Sequence, residues 1–418
     1  MAHPAPSSPL TAPRPRLVCF VNGIFGEGIG GGDVYIYQMA RAAIDAGYPI
    51  HFFGGHALKR FLEKQNLPLN LTLTDSQVAG LGDVNRLAGQ FRLLRDFGGR
   101  LKSTLSQLAE VTPGDLAYTA SDYWFDTIPL IRCRARAKVL YLGMTAPTLG
   151  QVMSKGRADV TTTRLPSLYY WMSQQLSLRW FQRVRNGMVT YSHPAIRDYL
   201  KRFGYAESRL WYVPNGSDAA AANRVPDQPK QFDVAWVGRV HPQKGIDDLL
   251  ATLAWLKQRL PDFRAVIIGK SEDALAPLVQ QMGLAGSVVF SGLVSEPEKF
   301  RLFKSSRVFV MPSRYESWGI VVGEALVSGV PVVAYDLDCY RPVFGDLVRY
   351  VRCFDSDGFK RAVDDEVRRQ RAGSNYLATM DAGKLKQTLD WSTARESFVT
   401  LLQKMAGEGP TINSPLKQ

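Results

Sequence analysis

Only four cysteines occur in 418 residues, Cys19, Cys133, Cys339 and Cys353. They are scattered, without the paired spacing that holds zinc, so neither a metal-stapled nor a disulfide-stapled fold is expected; reduced thiols of a cytoplasmic protein are. No apolar run approaches the roughly 20 residues that cross a bilayer. Residues 1–15 are rich in Pro, Ala and Ser and lack the basic-then-apolar order of a secretory signal; they read as a disordered tail. No repeat of 20–50 residues and no coiled coil is present, which removes solenoid architectures. What remains is a chain with 45% hydrophobic and 11% aromatic residues, the make-up of a globular protein. It is too long for one ordinary core, so two domains of roughly 200 residues are expected.

Acidic residues are scarce in the first half alone. Through Lys230 there are 27 Lys and Arg against 16 Asp and Glu; beyond it there are 24 against 22. Such asymmetry fits a half that faces an anionic partner, whether a membrane surface, an acidic acceptor or nucleic acid. It equally fits a solvated basic surface kept for solubility.

Residues 16–22 form an apolar run that ends in a glycine-rich loop. A helical pattern follows over 33–46, with Gly47 at the stop, and a second strand spans 49–53. This β–loop–α–β unit opens a doubly wound α/β sheet. Further strands are expected at 116–119, 138–142 and 187–191, with a long helix at 165–185. The stretch 225–231, rich in Pro, Asp, Lys and Gln, reads as a linker. The rhythm then restarts with strands at 232–237, 264–269, 288–291, 308–311 and 331–335, and helices at 245–259 and 320–328. The domains are therefore expected at 16–224 and 232–390, with a terminal helical segment over 391–407. Ligands of such sheets lie beyond the carboxyl ends of the strands.

Three motifs carry chemistry. Gly26-x-Gly28-x-x-Gly31 follows a strand and precedes a helix, as a dinucleotide fingerprint does. A dehydrogenase, however, needs an acidic residue at the end of the second strand, and here His51-Phe-Phe-Gly-Gly-His56 supplies none. A turn that touches phosphate or sugar, or a merely structural turn, fits better. The second motif is Gly238-Arg239-Val-His-Pro-Gln-Lys244-Gly245, at a strand's carboxyl end. Its guanidinium offers forked donors and its ammonium a mobile point charge, a pairing suited to a diphosphate, although solvated basic residues are common at such places. The third is Pro312-Ser-Arg-Tyr-Glu316-Ser-Trp-Gly-Ile-Val-Val-Gly-Glu324. Glu316 is expected in the loop and Glu324 about a turn and a half into the helix. The free N–H groups near Ser317–Ile320 would then face developing negative charge. A glycosidase pair is disfavoured, because eight residues along one helix separate two carboxylates by about 12 Å of rise.

Taken in order, these motifs resemble the retaining glycosyltransferases of family 4, which have the GT-B fold. Gly-Gly-Asp at 31–33, Val-Thr-Tyr-Ser-His at 189–193, Val213-Pro-Asn-Gly-Ser-Asp218, Gly269 and Ser328-Gly-Val-Pro-Val-Val333 extend the likeness over about 380 of the 418 residues. The resemblance implies two Rossmann-like domains whose parallel sheets face across a donor-binding cleft. It also implies that the segment after Trp391 crosses back to the N-terminal domain. The implied reaction moves a hexosyl unit, with retention, from a nucleotide diphosphate sugar to a glycan, lipid-linked or small-molecule acceptor, with no metal and no other cofactor. Arg239 and Lys244, with Gly238, would neutralise the diphosphate. Glu316 with Ser317, Trp318, Gly319 and Ile320 would hold the donor sugar, Glu324 the ribose, and Gly32 would lie against the donor. Glu316, Arg239 and Lys244 are the expected catalytic set.

The chain also departs from that pattern. Family histidines near the ends of later N-terminal strands are replaced by Tyr118-Thr-Ala-Ser121 and Tyr141-Leu-Gly-Met-Thr145. Asp336-Leu-Asp338 mimics an acidic metal motif but falls in a post-strand loop. The helix at 165–185 interleaves aromatics with arginines and reads as packed on its own sheet, or as lying on an anionic membrane; nucleic acid is not an expected partner. A cytoplasmic enzyme is expected, with peripheral contact on the inner face of the membrane as the second placement. A GT-B sugar-nucleotide epimerase and an inactive nucleotide-binding scaffold are the alternatives.

Overall fold

The computed structural model describes residues 13–23, 30–75, 87–146, 148–150, 164–379 and 381–408. By internal contacts the chain divides into two compact units. One takes residues up to Tyr141 with Arg179–Met188 and the chain from Phe398; the other takes Leu142–Leu178 and Val189–Ser397.

The first sheet has seven strands: β1 (Leu17–Val21), β2 (Ile50–Gly54), β3 (Leu71–Leu73), β4 (Leu116–Thr119), β5 (Ala137–Leu142), β6 (Gly187–Tyr191) and β7 (Leu210–Tyr212), in the order 3-2-1-4-5-6-7. The second has six: β8 (Phe232–Val237), β9 (Ala265–Ile268), β10 (Val288–Gly292), β11 (Ser306–Met311), β12 (Val332–Asp336) and β13 (Val348–Arg352), in the order 10-9-8-11-12-13. All five pairings of the second sheet are parallel, as are β1 with β2 and with β4 in the first. This is the expected pair of Rossmann-like sheets.

Parallel sheets bury both faces, so their strands read as continuous apolar runs rather than alternating ones. In the second sheet, Phe232, Ala235, Phe309 and Val332 enter one core while Val234, Trp236, Val308 and Val333 enter the other. Strands with such runs lie within two residues of their expected places. β3 and β7 were not expected; each has only three residues and lies at a sheet edge. β13 was missed because its arginines break the apolar run.

The boundary between the two sheets differs from expectation. The helix Ala219–Arg224, assigned from sequence to the first domain, buries Ala219, Ala221 and Ala222 in the core of the second sheet beside Phe300 and Phe303. Three alanines on a short helix carry too weak a periodic signal to show which core they join. The final helix, Trp391–Ala406, returns to the first unit, where Phe398 meets Tyr118 edge-on with ring centroids 5.3 Å apart.

In each sheet the chain order reverses once, between β1 and β4 and between β8 and β11. At such a reversal the connections run to opposite faces of the sheet, which makes its carboxyl edge the crevice where doubly wound sheets bind ligands.

Candidate functional site

The crevice of the second sheet is formed by the two loops that carry the basic and acidic motifs. After β8 the chain passes Gly238 and Arg239, makes a short turn over Pro242–Lys244, and enters the helix Ile246–Arg259. After β11 it runs through residues 312–319 and enters the helix Ile320–Val327. Both turns hinge on glycine in the left-handed region, Gly245 at φ +62° and Gly319 at φ +89°, where a side chain is strained. A Cβ on Gly245 would strike the Pro312 carbonyl, so the absence of a side chain there is what lets the two loops meet.

Gln243 fastens them. Its Nε2 donates to the Tyr315 carbonyl at 2.7 Å, and its own carbonyl accepts the Arg314 N–H at 2.8 Å. Lys244 then reaches across, its ammonium 2.6 Å from Glu316 Oε1. Both side chains are largely buried, so the pair is better shielded from water and salt than a surface ion pair. Arg239 lies exposed on the same loop and forms no hydrogen bond or ion pair among the described residues. Burial, and then the charges of Arg239 and Lys244, lower the His241 pKa. His241 is therefore neutral near pH 7, and its Nδ1 accepts the Gln243 N–H at 3.2 Å.

Val322 and Gly323 both donate to the Gly319 carbonyl, which leaves the N–H groups of Gly319, Ile320 and Val321 without a backbone acceptor among the described residues. These amides and the helix dipole make the start of Ile320–Val327 electropositive. Glu324 lies inside that helix, as expected. Lys299, from the helix Glu296–Lys304, donates to its Oε1 at 2.6 Å, while Oε2 is buried without a hydrogen-bond partner. An unsatisfied buried carboxylate oxygen is costly and calls for a hydrogen-bond donor.

Not every expected residue presents its side chain to the crevice. Trp318 is 2% exposed and packs in the core against Phe344, ring centroids 5.1 Å apart. Its indole therefore cannot meet a ligand in the crevice, and only its backbone is available. The missing signal was tertiary: the sequence places position 318 in the loop without showing that the ring turns inward. Gln243 and Lys299 were not singled out from sequence. Gln243 lies inside the basic motif, whereas Lys299, 25 residues before Glu324, carries no local signal.

In the first unit the helix Gly31–Asp45 starts at the glycine turn, where the Gly30 N–H donates to Asp33 Oδ2 at 2.7 Å. A Cβ on Gly32 would meet nothing within 4 Å, so packing within the protein does not require glycine there. Gly26 and Gly28 lie outside the described residues. Tyr118 and Tyr141, at the places where histidines were sought, are core residues, and the Tyr141 ring stacks on Tyr35 at 4.1 Å. Asp336 is held by Arg341 through three contacts of 2.8–3.0 Å. Among the described residues no cluster of three His, Cys, Asp or Glu could hold a metal ion.

On the helix Arg164–Phe181, Leu178 and Phe181 are buried while Met172, Leu176 and Trp180, four residues apart, are exposed. The helix thus buries one side and presents an apolar stripe to solvent on another. Among the described residues, no helix is long and apolar enough to cross a membrane.

Residues 216–374 match the family described as glycosyl transferases group 1. The chain is 33% identical over 232 residues to a phosphatidyl-myo-inositol mannosyltransferase of Mycolicibacterium smegmatis, covering 53% of this chain and 58% of that protein. It is 28% identical over 190 residues to a D-inositol 3-phosphate glycosyltransferase of Mycobacterium marinum, covering 43% of this chain and 40% of that protein. The aligned region thus spans less than two thirds of these relatives' length. Among solved structures, Anabaena Alr3699/HepE in complex with UDP and glucose aligns with a TM-score of 0.66 at 17% identity, covering 93% of this chain and 100% of that one. WaaG, a glycosyltransferase involved in lipopolysaccharide biosynthesis, aligns at 0.61 and 15% identity, covering 93% and 98%. The chain has the GT-B fold, and its residues 216–374 are similar to the glycosyl transferases group 1 family.

Proposed function

We propose that the protein is a retaining glycosyltransferase of family 4, moving a hexosyl unit from a nucleotide diphosphate sugar to a glycan, lipid-linked or small-molecule acceptor. The observation that carries this reading is the Lys244–Glu316 pair beside the exposed guanidinium of Arg239 and the unpaired amides at the start of Ile320–Val327. Lys244 has three donors and spends one on Glu316, which leaves two for a diphosphate. Arg239 adds a forked set. Two cations and a helix start supply the countercharge that a departing diphosphate needs, so the reading requires no metal.

In this reaction the anomeric C–O bond to the diphosphate breaks and a bond to the acceptor oxygen forms on the same face. The acceptor's proton passes to the departing phosphate, so no protein nucleophile is involved. Glu316 and the backbone of Ser317, Gly319 and Ile320 orient the sugar, and Glu324 Oε2 accepts from the ribose. Gly32 completes the donor set of this reading, and packing within its own unit does not require glycine there. Positioning and charge stabilisation carry the rate.

The relatives' names make an inositol-type polyol the first acceptor to test, and the UDP complex of one structural neighbour makes UDP the first nucleotide. The exposed stripe Met172, Leu176 and Trp180, on a net-basic half of the chain, supports peripheral contact with an anionic membrane from the cytoplasmic side. A thermal-shift screen against UDP, GDP, ADP, CMP and NAD(H), with and without EDTA, tests the donor site. A nucleotide at about 100 times its dissociation constant adds roughly 2.7 kcal/mol. Stabilisation by one diphosphate, indifferent to EDTA, is expected. Stabilisation by NAD(H) alone would replace this reading with a dehydrogenase, and no response at all would favour the inactive scaffold.

A further inference from the structure

The crevice of the first sheet contains a buried polar network that the donor chemistry does not use. Asn22, at the end of β1, is fully buried. Its N–H donates to Asp126 Oδ1 at 2.8 Å, and its Oδ1 accepts from Thr74 at 2.7 Å. Arg100, from the helix Leu87–Ser106, donates Nη1 to the Asn22 carbonyl at 2.9 Å and Nε to Asp96 at 2.8 Å. Its Nη2 lies 3.3 Å from Asp75 Oδ2, just beyond β3. Asp75 in turn takes two donors from His56, the first residue of the helix His56–Lys64 that follows β2: the backbone N–H at 3.0 Å and ring Nδ1 at 2.7 Å. A Cβ on Gly55 would run into the Asp75 carboxylate and come within 2.9 Å of Arg100 Nη1, so the bare backbone is what lets the cluster close.

Burying so many polar groups costs free energy unless every partner is met, and a satisfied network holds its members rigidly. Asp75 and Arg100 keep only 9% and 7% of their side-chain surface, whereas His56 keeps 24%. A carboxylate oxygen accepts from a ring N–H, so the Asp75 contact selects the tautomer with its proton on Nδ1, in which Nε2 is the lone-pair acceptor. Nε2 has no hydrogen-bond partner among the described residues. The result is an imidazole with a fixed tautomer and orientation beyond the carboxyl end of β2, the neighbour of β1, on the edge of the sheet where ligands of doubly wound folds lie.

We propose that His56, oriented by Asp75 and Arg100, accepts a hydrogen bond through Nε2 from a hydroxyl of the acceptor polyol and positions it for transfer. The role rests on the glycosyltransferase reading above. It also supplies an acceptor-side imidazole that positions 118 and 141 do not: it starts the helix after β2 instead of lying in the later strands. Asp75 and Arg100 act through His56 and are positioning residues.

Two substitutions separate this role from a structural one. His56→Asn keeps a side-chain N–H near the Nδ1 position, and so preserves the Asp75 contact while deleting Nε2. His56→Gln places an amide oxygen near Nε2 and sacrifices the Asp75 contact. The full chain is assayed for UDP-sugar hydrolysis without acceptor, and for transfer to myo-inositol 1-phosphate and to phosphatidylinositol in mixed micelles. Comparing the two acceptors tells whether a free or a lipid-borne polyol is used. Imidazole NMR follows Nε2 during titration with each. The expected result is that His56→Asn lowers transfer at least about tenfold, holds hydrolysis within about twofold and leaves melting unchanged, while His56→Gln recovers part of the transfer. A variant order in which Asn is harmless and Gln is damaging would show a structural cap and overturn the proposal. So would hydrolysis with no transfer to either polyol and no movement of Nε2. Wild-type protein that hydrolyses no nucleotide sugar would instead overturn the glycosyltransferase reading, and this role with it.

Discussion

The two sheets reverse their strand order in the same way, yet their crevices are built from opposite materials. Beyond β8 and β11 the loops hinge on left-handed glycines and leave cations and bare amides for a ligand. Beyond β1, β2 and β3 the corresponding edge is filled by Asn22, Thr74, Asp75 and Arg100, already satisfied by one another, with one imidazole left over. Strand order fixes where a ligand can lie, and the loops decide what charge it must carry. The second crevice is suited to an anion. The first is suited to a neutral, hydroxyl-rich group.

The largest effect should come from removing the carboxylate that faces the cations of the second crevice. Glu316→Gln keeps the size and one acceptor but loses the charge that holds Lys244. Transfer should fall by about 10²–10³-fold, in the range of other preorganised electrostatic groups, while circular dichroism stays native. Unchanged turnover would sink the assignment of this crevice to the donor. The cations come next. Arg239→Ala and Lys244→Ala should each weaken nucleoside diphosphate binding by about tenfold to a hundredfold in titration calorimetry, the worth of a charged hydrogen bond. Their stabilities should differ. Arg239 is exposed, so its loss leaves melting unchanged. Removing Lys244 strands a largely buried Glu316, and so lowers it.

Glycine substitutions sharpen the contrast further. Gly245→Ala must accept φ +62° and a collision with the Pro312 carbonyl, and should cost about 1–3 kcal/mol, a fall of several degrees in Tm. Gly32→Ala meets nothing and lies in the first turn of a helix, so its stability should hold or rise by up to about 1 kcal/mol. The proposed donor role of Gly32 then predicts a drop in donor affinity without a drop in stability. Equal loss of stability in both variants would erase the distinction between a glycine needed for folding and one needed for binding.

The sequence shows these two crevices unequally. The second was legible because its residues are local: Arg239 and Lys244 share one loop, Glu316 and Glu324 share a loop and the helix that follows, and each loop comes straight after an apolar strand. Lys299 was not, since it joins Glu324 only through packing of separate helices. Trp318 was misplaced because a loop sequence does not show which side chains turn inward. The first crevice was almost invisible. Its cluster gathers position 22, residues 55–56 and 74–75, and positions 100 and 126 from the ends of several strands and from three helices, and no spacing rule connects them. Gly54-Gly55-His56 entered the reading only as the place where a ribose-binding carboxylate was missing. The strands were read well where runs of Val, Ile and Phe are buried on both faces, and lost where an edge strand is three residues long.

The smallest predicted effect compares the imidazoles of the two sheets. His241, in the second crevice, has its pKa lowered by burial and by the neighbouring cations, and its Nδ1 is used. His193, just beyond β6 in the first sheet, is buried with Nδ1 unpaired, and burial pushes it down to about 4 against the opposing charge of Asp338. A free imidazole titrates near 6.5, so between about pH 6.5 and 4 the unfolded chain binds a proton that the folded chain refuses. Stability therefore rises with pH across that window, and is lost as pH falls through it. His193 precedes the helix Pro194–Phe203, where Asn is a favoured cap that does not titrate. His193→Asn should raise Tm slightly at pH 7 and narrow the drop between pH 7 and pH 4.5 by about 2–4 °C. The cap adds the same amount at both pH values, so only the narrowing reports the imidazole. If the two chains lose stability in parallel, the unpaired Nδ1 is met by solvent and His193 titrates as an ordinary surface group.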